Sequence, residues 1–191
     1  MRTMSTLCDF SETDKATLRR ILGDIESPTA GLPDAVFDFA LGIIPMVNVD
    51  LLISDTENRV LLAWREDRWG AGWHVPGGII RIYESFSERI TATAQLELGL
   101  IVRHKPAPIS MTQFFVDRGH FISLLYECDI VGDQSVVIDE SAVAAPHPNA
   151  LGWFSKPPAA IYPAHAQYIP RLPQFGASNP LTTDEILIEE R

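Results

Sequence analysis

The sequence predicts one α/β domain built on a mixed sheet rather than a doubly wound parallel one. Three observations carry this prediction. Apolar runs of strand length come in pairs separated by short polar turns, a well-signed amphipathic helix sits between two such pairs, and helical spacing dominates the first forty residues.

The elements follow in order. Ser11 or Thr13 caps a helix over Asp14 to Glu26, in which Leu18, Ile21, Leu22 and Ile25 recur at helical spacing, and Ser27-Pro28 ends it. Leu32-Pro33-Asp34 opens a second short helix reaching about Leu41, and Pro45 breaks it. Val47 to Ile53 reads as a buried strand, and Val60 to Trp64 as its hairpin partner across the polar turn Asp55 to Arg59. After the charged loop Arg65 to Gly72 comes Trp73-His74-Val75-Pro76-Gly77-Gly78, where two glycines after a proline mark a turn that something approaches closely. Ser85 and Glu88 form a capping box, and Gly99 closes the helix they start. Ile109 to Val116 and Phe121 to Val131 read as long strands joined by Asp117-Arg118-Gly119, and Leu151 to Phe154 as a last short strand. The region from Pro146 to Pro180 holds more than half of the 14 prolines and predicts turns and extended chain. The acidic stretch Thr182 to Arg191 is expected to be loose. The expected organisation is a helical N-terminal extension over 1–42, a central α/β domain over 43–160, and a proline-rich extension with an acidic tail over 161–191.

Composition narrows the function. The 191 residues carry 15 Lys and Arg against 25 Asp and Glu, a net charge of −10. A nucleic-acid partner needs surplus cations, as does a polybasic membrane-surface mode, so neither is expected. Cys8 and Cys128 form no CxxC pair, residues 1–30 hold no apolar leader, and Ala35 to Ile53 is interrupted by Asp38, Asn48 and Asp50. A cytoplasmic location is therefore expected.

The decisive anomaly is one carboxylate. On a wheel of about 100° per residue, Phe86, Ile90 and Ala94 make the apolar stripe of the capped helix, and Glu97 falls between the directions of Phe86 and Ile90. Burial and the negative end of the helix dipole both disfavour its ionised form, so either a cation compensates or the group protonates. That cation is a divalent metal or an arginine such as Arg65 or Arg89, unless the side chain reaches solvent past the helix end.

The segment Gly78 to Leu100 resembles the Nudix box. Gly78 is followed after five residues by Glu84 and, at the family's spacing, by Glu97, Gly99 and Leu100. Ala92, Thr93 and Leu96 stand where the box has arginine and two glutamates. The sequence is similar to the GDP-mannose mannosyl hydrolase branch, whose box keeps only the last glutamate. The similarity extends to Ile44 to Leu51, to Val60-Leu61-Leu62 with Arg65, and to Gly72 to Gly78. The resemblance implies a Nudix-type α/β/α sandwich and a magnesium-dependent hydrolase that releases a sugar and a nucleoside diphosphate by water attack on the anomeric carbon. It implies one Mg2+ held by the Gly77 carbonyl and Glu97, Arg65 on the diphosphate, Asp50 in nucleotide recognition, and a homodimer. The branch's arginine after Gly-Gly is Ile79 here, and Arg81 is the candidate to replace it on the same strand face. Histidine is the natural general base near neutral pH, with His147 in the Pro-His-Pro-Asn loop the first candidate and His120 the second. Two other readings stay open: a Nudix pyrophosphohydrolase acting on another nucleoside-diphosphate compound, and an inactive Nudix fold that only binds nucleotides or proteins.

Overall fold

A computed structural model describes residues 10–188 apart from positions 26, 28, 133, 135, 137 and 139. Arg2, Cys8, Asp9, the expected helix end at Glu26, Pro28 and the last three residues of the tail lie outside the described residues.

The first helix, α1 (Glu12–Asp24), starts where its cap is strongest. Ser11 Oγ accepts from Asp14 N and the Asp14 carboxylate accepts from Ser11 N, satisfying two N–H groups that would otherwise be orphaned. None of its residues is buried. The second, α2 (Asp34–Leu41), follows Pro33 and buries Ala40 and Leu41 in the core. Among the described residues no helix is long and apolar enough to cross a membrane.

Among the described residues nine strands form two sheets. The larger contains β1 (Met46–Ile53), β4 (Gly77–Ile79), β5 (Val102–His104), β6 (Ser110–Val116), β7 (Gly119–Ile130) and β9 (Thr183–Ile188), in the order β4-β1-β7-β6-β9, with β5 also on β7. The β1–β7 and β6–β9 pairs are parallel and the others antiparallel, so the sheet is mixed. The smaller sheet has the order β3 (Gly70–His74), β2 (Val60–Asp67), β8 (Leu151–Phe154). The expected hairpin between the first two strands does not form. Both edges of β1 are taken, by β4 and β7, and β2 leaves for the second sheet after the single bridge Ser54–Val60.

The capped helix is α3 (Phe86–Thr93), with Ser85 and Glu88 making the expected reciprocal bonds. It does not run on as an α-helix. Ala94–Leu98 is a π-helical turn closed by Gly99 at φ 66°, and Gly99 N–H reaches back to the carbonyls of Ala94 and Gln95. A short helix, α4 (Glu140–Ala144), precedes β8.

The proline-rich segment is part of the core. Prolines stand at the first or second position of three single 3-10 turns, Pro163–His165, Ile169–Arg171 and Pro173–Phe175, where a missing N–H costs nothing. These turns bury Tyr162, Tyr168, Ile169 and Leu172 almost completely. The acidic end, expected to be loose, supplies β9 beside β6, with Leu187 buried.

Candidate functional site

Two glycines set the site. Asp50 on β1 is in register with Gly77 on β4, and a side chain at Gly77 would overlap Asp50 Oδ1. A Cβ at Gly78 would lie 2.6 Å from Thr93 Oγ1 and 2.9 Å from Arg89 Cδ. Only residues without a Cβ let β4 lie between β1 and α3, so the Pro-Gly-Gly turn brings strand and helix side chains to one place. There a cavity of about 970 Å³ opens, lined by Asn48, Asp50, Arg65, His74, Glu97 and His165 together with apolar residues of α1 and α2.

Glu97 faces this cavity with its side chain 31% exposed. Its partner is neither Arg65 nor Arg89 but His74, whose Nε2 lies 3.2 Å from Glu97 Oε2. The π turn is the reason the wheel erred: the wider turn carries Glu97 round from the stripe of Ile90 and Ala94. His74 is fixed from its other nitrogen. The register Ala63–His74 between β2 and β3 places Nδ1 2.8 Å from Ala63 O, and a carbonyl only accepts, so Nδ1 carries a hydrogen. With Nδ1 committed, Nε2 is the ring atom that faces the carboxylate.

Asp50 is 2% exposed. Its oxygens accept from Asn48 Nδ2, at 2.9 Å, and from the Ser123 hydroxyl. Burial nevertheless outweighs these bonds and pushes the carboxyl up to about 6. His165 stands opposite with Nδ1 accepting from Val75 N at 3.2 Å, which leaves its Nε2 as the N–H donor. Burial first, and then the nearby His74, Arg118 and Arg65, hold it well below its ordinary value, so it stays neutral.

Four arginines line the cavity. Arg65 lies two residues before the end of β2, with Nε 2.6 Å from Asp67 Oδ2 and its guanidinium 5.2 Å from the Tyr162 ring centre. The Tyr162 hydroxyl donates to the same carboxylate at 2.9 Å, so Arg65 is aimed from two sides. Arg81 reaches the Thr29 carbonyl through Nη1 at 3.3 Å. Arg89, 5% exposed, makes a two-bond fork to Glu84 at 2.8 and 2.7 Å. Burial pushes the Glu84 carboxyl up, but Arg89 and the Arg81 N–H outweigh it and hold it below its ordinary value. Glu84 thus props the start of α3. Arg118, from the turn between β6 and β7, lies 4.3 Å from the Phe121 ring centre and 5.6 Å from that of Trp69.

The structure brings Asp50, Arg65, Arg81, Gly77 and Glu97 to one cavity and leaves out both expected bases. His147 is exposed beside the Pro148 carbonyl. His120 is half-buried on β7, 3.2 Å from Gln113 Oε1 and stacked edgewise on Phe115. Both miss because a strand-end or loop histidine points where the local register sends it. His165 and Arg118 carried no sequence signal beyond a proline turn and a hairpin turn. His74 did carry one, since alternation along β3 sets it opposite to the buried Trp73.

Among the described residues no group of three or more His, Cys, Asp or Glu side chains is arranged to hold a metal. The donors present fit a magnesium ion of the kind held by one carboxylate, with a main-chain carbonyl, water and substrate phosphates completing its shell. Glu97 Oε1, without a protein partner among the described residues, is the oxygen to offer.

No protein-family model matches the sequence. A stretch of 117 residues, 57% of this chain and 74% of the relative, is 28% identical to the low-salt glycan biosynthesis protein Agl8 of Haloferax volcanii. A solved Nudix hydrolase from Nitrosomonas europaea superposes with a TM-score of 0.50 at 15% identity, covering 75% of this chain and 79% of that one. An ADP-ribose pyrophosphatase from Streptococcus suis gives 0.48 at 18%, covering 75% and 100%. The chain has the Nudix fold, a mixed sheet with helices packed against it.

Proposed function

We propose that the chain is a magnesium-dependent hydrolase of a nucleotide sugar of the GDP-mannose kind, releasing free sugar and a nucleoside diphosphate. One observation carries the reading: a carboxylate on the cavity wall, Glu97, has among the described residues a single ring nitrogen as partner and no arginine or lysine, within a cavity that also presents Arg65. A relative named for glycan biosynthesis agrees in kind with a sugar-bearing substrate.

When bound, the metal supplies positive charge against the departing diphosphate. Glu97 and the Gly77 carbonyl would hold it, beside His74, whose ring is oriented by the bond from its Nδ1 to the Ala63 carbonyl. Arg65, aimed by Asp67 and Tyr162, takes the charge that develops on the leaving oxygen. His165 offers an N–H to the same end of the cavity. Asp50 accepts a hydrogen from the attacking water or a substrate hydroxyl, the part expected of His147 or His120. The reading includes a cytoplasmic location and a homodimer, the latter checked by mass in solution.

The test is a panel of nucleoside diphosphate sugars with Mg2+, assayed separately for free sugar and nucleoside monophosphate. Free sugar is expected. Monophosphate would make the chain a pyrophosphohydrolase, and neither product with retained nucleotide binding would make it a binding module.

A further inference from the structure

The four cavity arginines are not equivalent. Arg89 is committed to Glu84, Arg81 to the Thr29 carbonyl, and Arg65 shares its charge with Asp67. Arg118 forms neither an ion pair nor a hydrogen bond with any described residue, and its Nε is buried without a partner. The side chain is held by ring faces instead, Phe121 and Trp69, which satisfy its flat surface and leave its N–H edges unanswered.

Burying a guanidinium without a counter-charge is costly, and a side chain of this length ordinarily escapes to solvent. Here it turns inward and lines the same cavity as Arg65, and desolvation weakens its hold on its proton. Arg65 lies near enough to repel it, Asp67 and Asp50 near enough to attract it without bonding to it, and both cations bear on His165. A half-buried guanidinium with open N–H edges, next to a second one whose charge is shared with Asp67, is suited to receive negative charge, and on a chain of net charge −10 attraction to an anion must be local.

We propose that Arg118 is a second anion clamp of the cavity, which with Arg65 grips the diphosphate of the substrate. The proposal rests on the functional reading above in placing substrate in this cavity. It deepens that reading by assigning two guanidinium forks, from β2 and from the β6–β7 turn, to one diphosphate. Arg81 then has no direct part in holding it.

The test uses inorganic pyrophosphate with the full chain in a metal chelator, read by calorimetry and thermal melting. Pyrophosphate is expected to bind the wild type and raise its melting temperature. Arg118→Met should weaken binding about tenfold or more, the loss of a charge-assisted hydrogen bond, while melting no lower than the wild type without ligand. Arg118→Lys, which keeps charge but not the fork, should fall between the two. Equal binding by wild type and Arg118→Met, or no binding by the wild type, overturns the proposal. So does an Arg118→Met chain that melts well below the wild type, because the arginine is then a structural prop. Neither metal nor turnover is involved, so a chain that binds pyrophosphate this way but cleaves no nucleotide sugar defeats the functional reading alone.

Discussion

Asp50→Asn isolates the energetic cost of the cavity lining. The carboxyl has an ordinary value of 3.8 and is raised to about 6 in the fold, burial being the largest cause. A raised value means the fold prefers the neutral acid. The stability this preference confers is complete below about pH 4 and is lost as the pH rises through about 6. At about 1.4 kcal/mol per pKa unit, ionising Asp50 in place costs the fold about 3 kcal/mol by pH 8. Asparagine is neutral throughout and fits the same site: its oxygen accepts from Asn48 and its amide donates to Ser123, whose hydroxyl then turns away. The assay is denaturant unfolding of both proteins at about pH 4 and pH 8. Relative to the wild type, the variant should gain about 3 kcal/mol between the two, roughly 6–12 °C in Tm for a chain of this size. A stability difference that does not change with pH would refute the buried, reluctant carboxylate. If Asp50 also takes the proton of the attacking water, the same variant loses most of its turnover at every pH.

Three further outcomes follow from the geometry. Glu84→Ala leaves Arg89 as an unpaired buried cation and should cost about 3–5 kcal/mol in denaturant unfolding, much of it recovered when Arg89→Met is added; a small single-mutant cost would contradict the buried fork. His147→Ala and His120→Ala should each leave turnover within about twofold, since neither ring reaches the cavity; a hundredfold loss in either would restore the base expected from sequence. Glu97→Gln should abolish both Mg2+-dependent turnover and any rise in melting temperature with Mg2+, and a wild-type response in that variant would sink the metal assignment.

Much of the fold was legible because local signals agreed with the global outcome. The cap at Ser11, one of the two residues the sequence offered for it, the capping box at Ser85, the hairpin through Asp117-Arg118-Gly119 and the strand Leu151 to Phe154 all appear. What escaped was non-local. Nothing between Ile53 and Val60 says that β1 already has two neighbours, so the hairpin that proximity suggests was the wrong pairing. Prolines announced broken chain, but not that each break would bury a tyrosine or leucine. The site was legible in the same proportion. Glu97 stood out because its charge conflicted with its neighbours, and the conflict was real although the π turn changed its direction. Asp50, Arg65 and Gly77 entered through family resemblance and share the cavity. His165 and Arg118 arrive from turns distant in sequence, where no spacing could connect them to β1.

The central claim, that the cavity cleaves a sugar–phosphate bond at carbon, is tested most directly by hydrolysing a nucleoside diphosphate sugar in oxygen-18 water with Mg2+ and weighing both products. The heavy oxygen is expected on the anomeric carbon of the released sugar, with an unlabelled nucleoside diphosphate. Heavy oxygen on a phosphate, with the monophosphate as product, would contradict it.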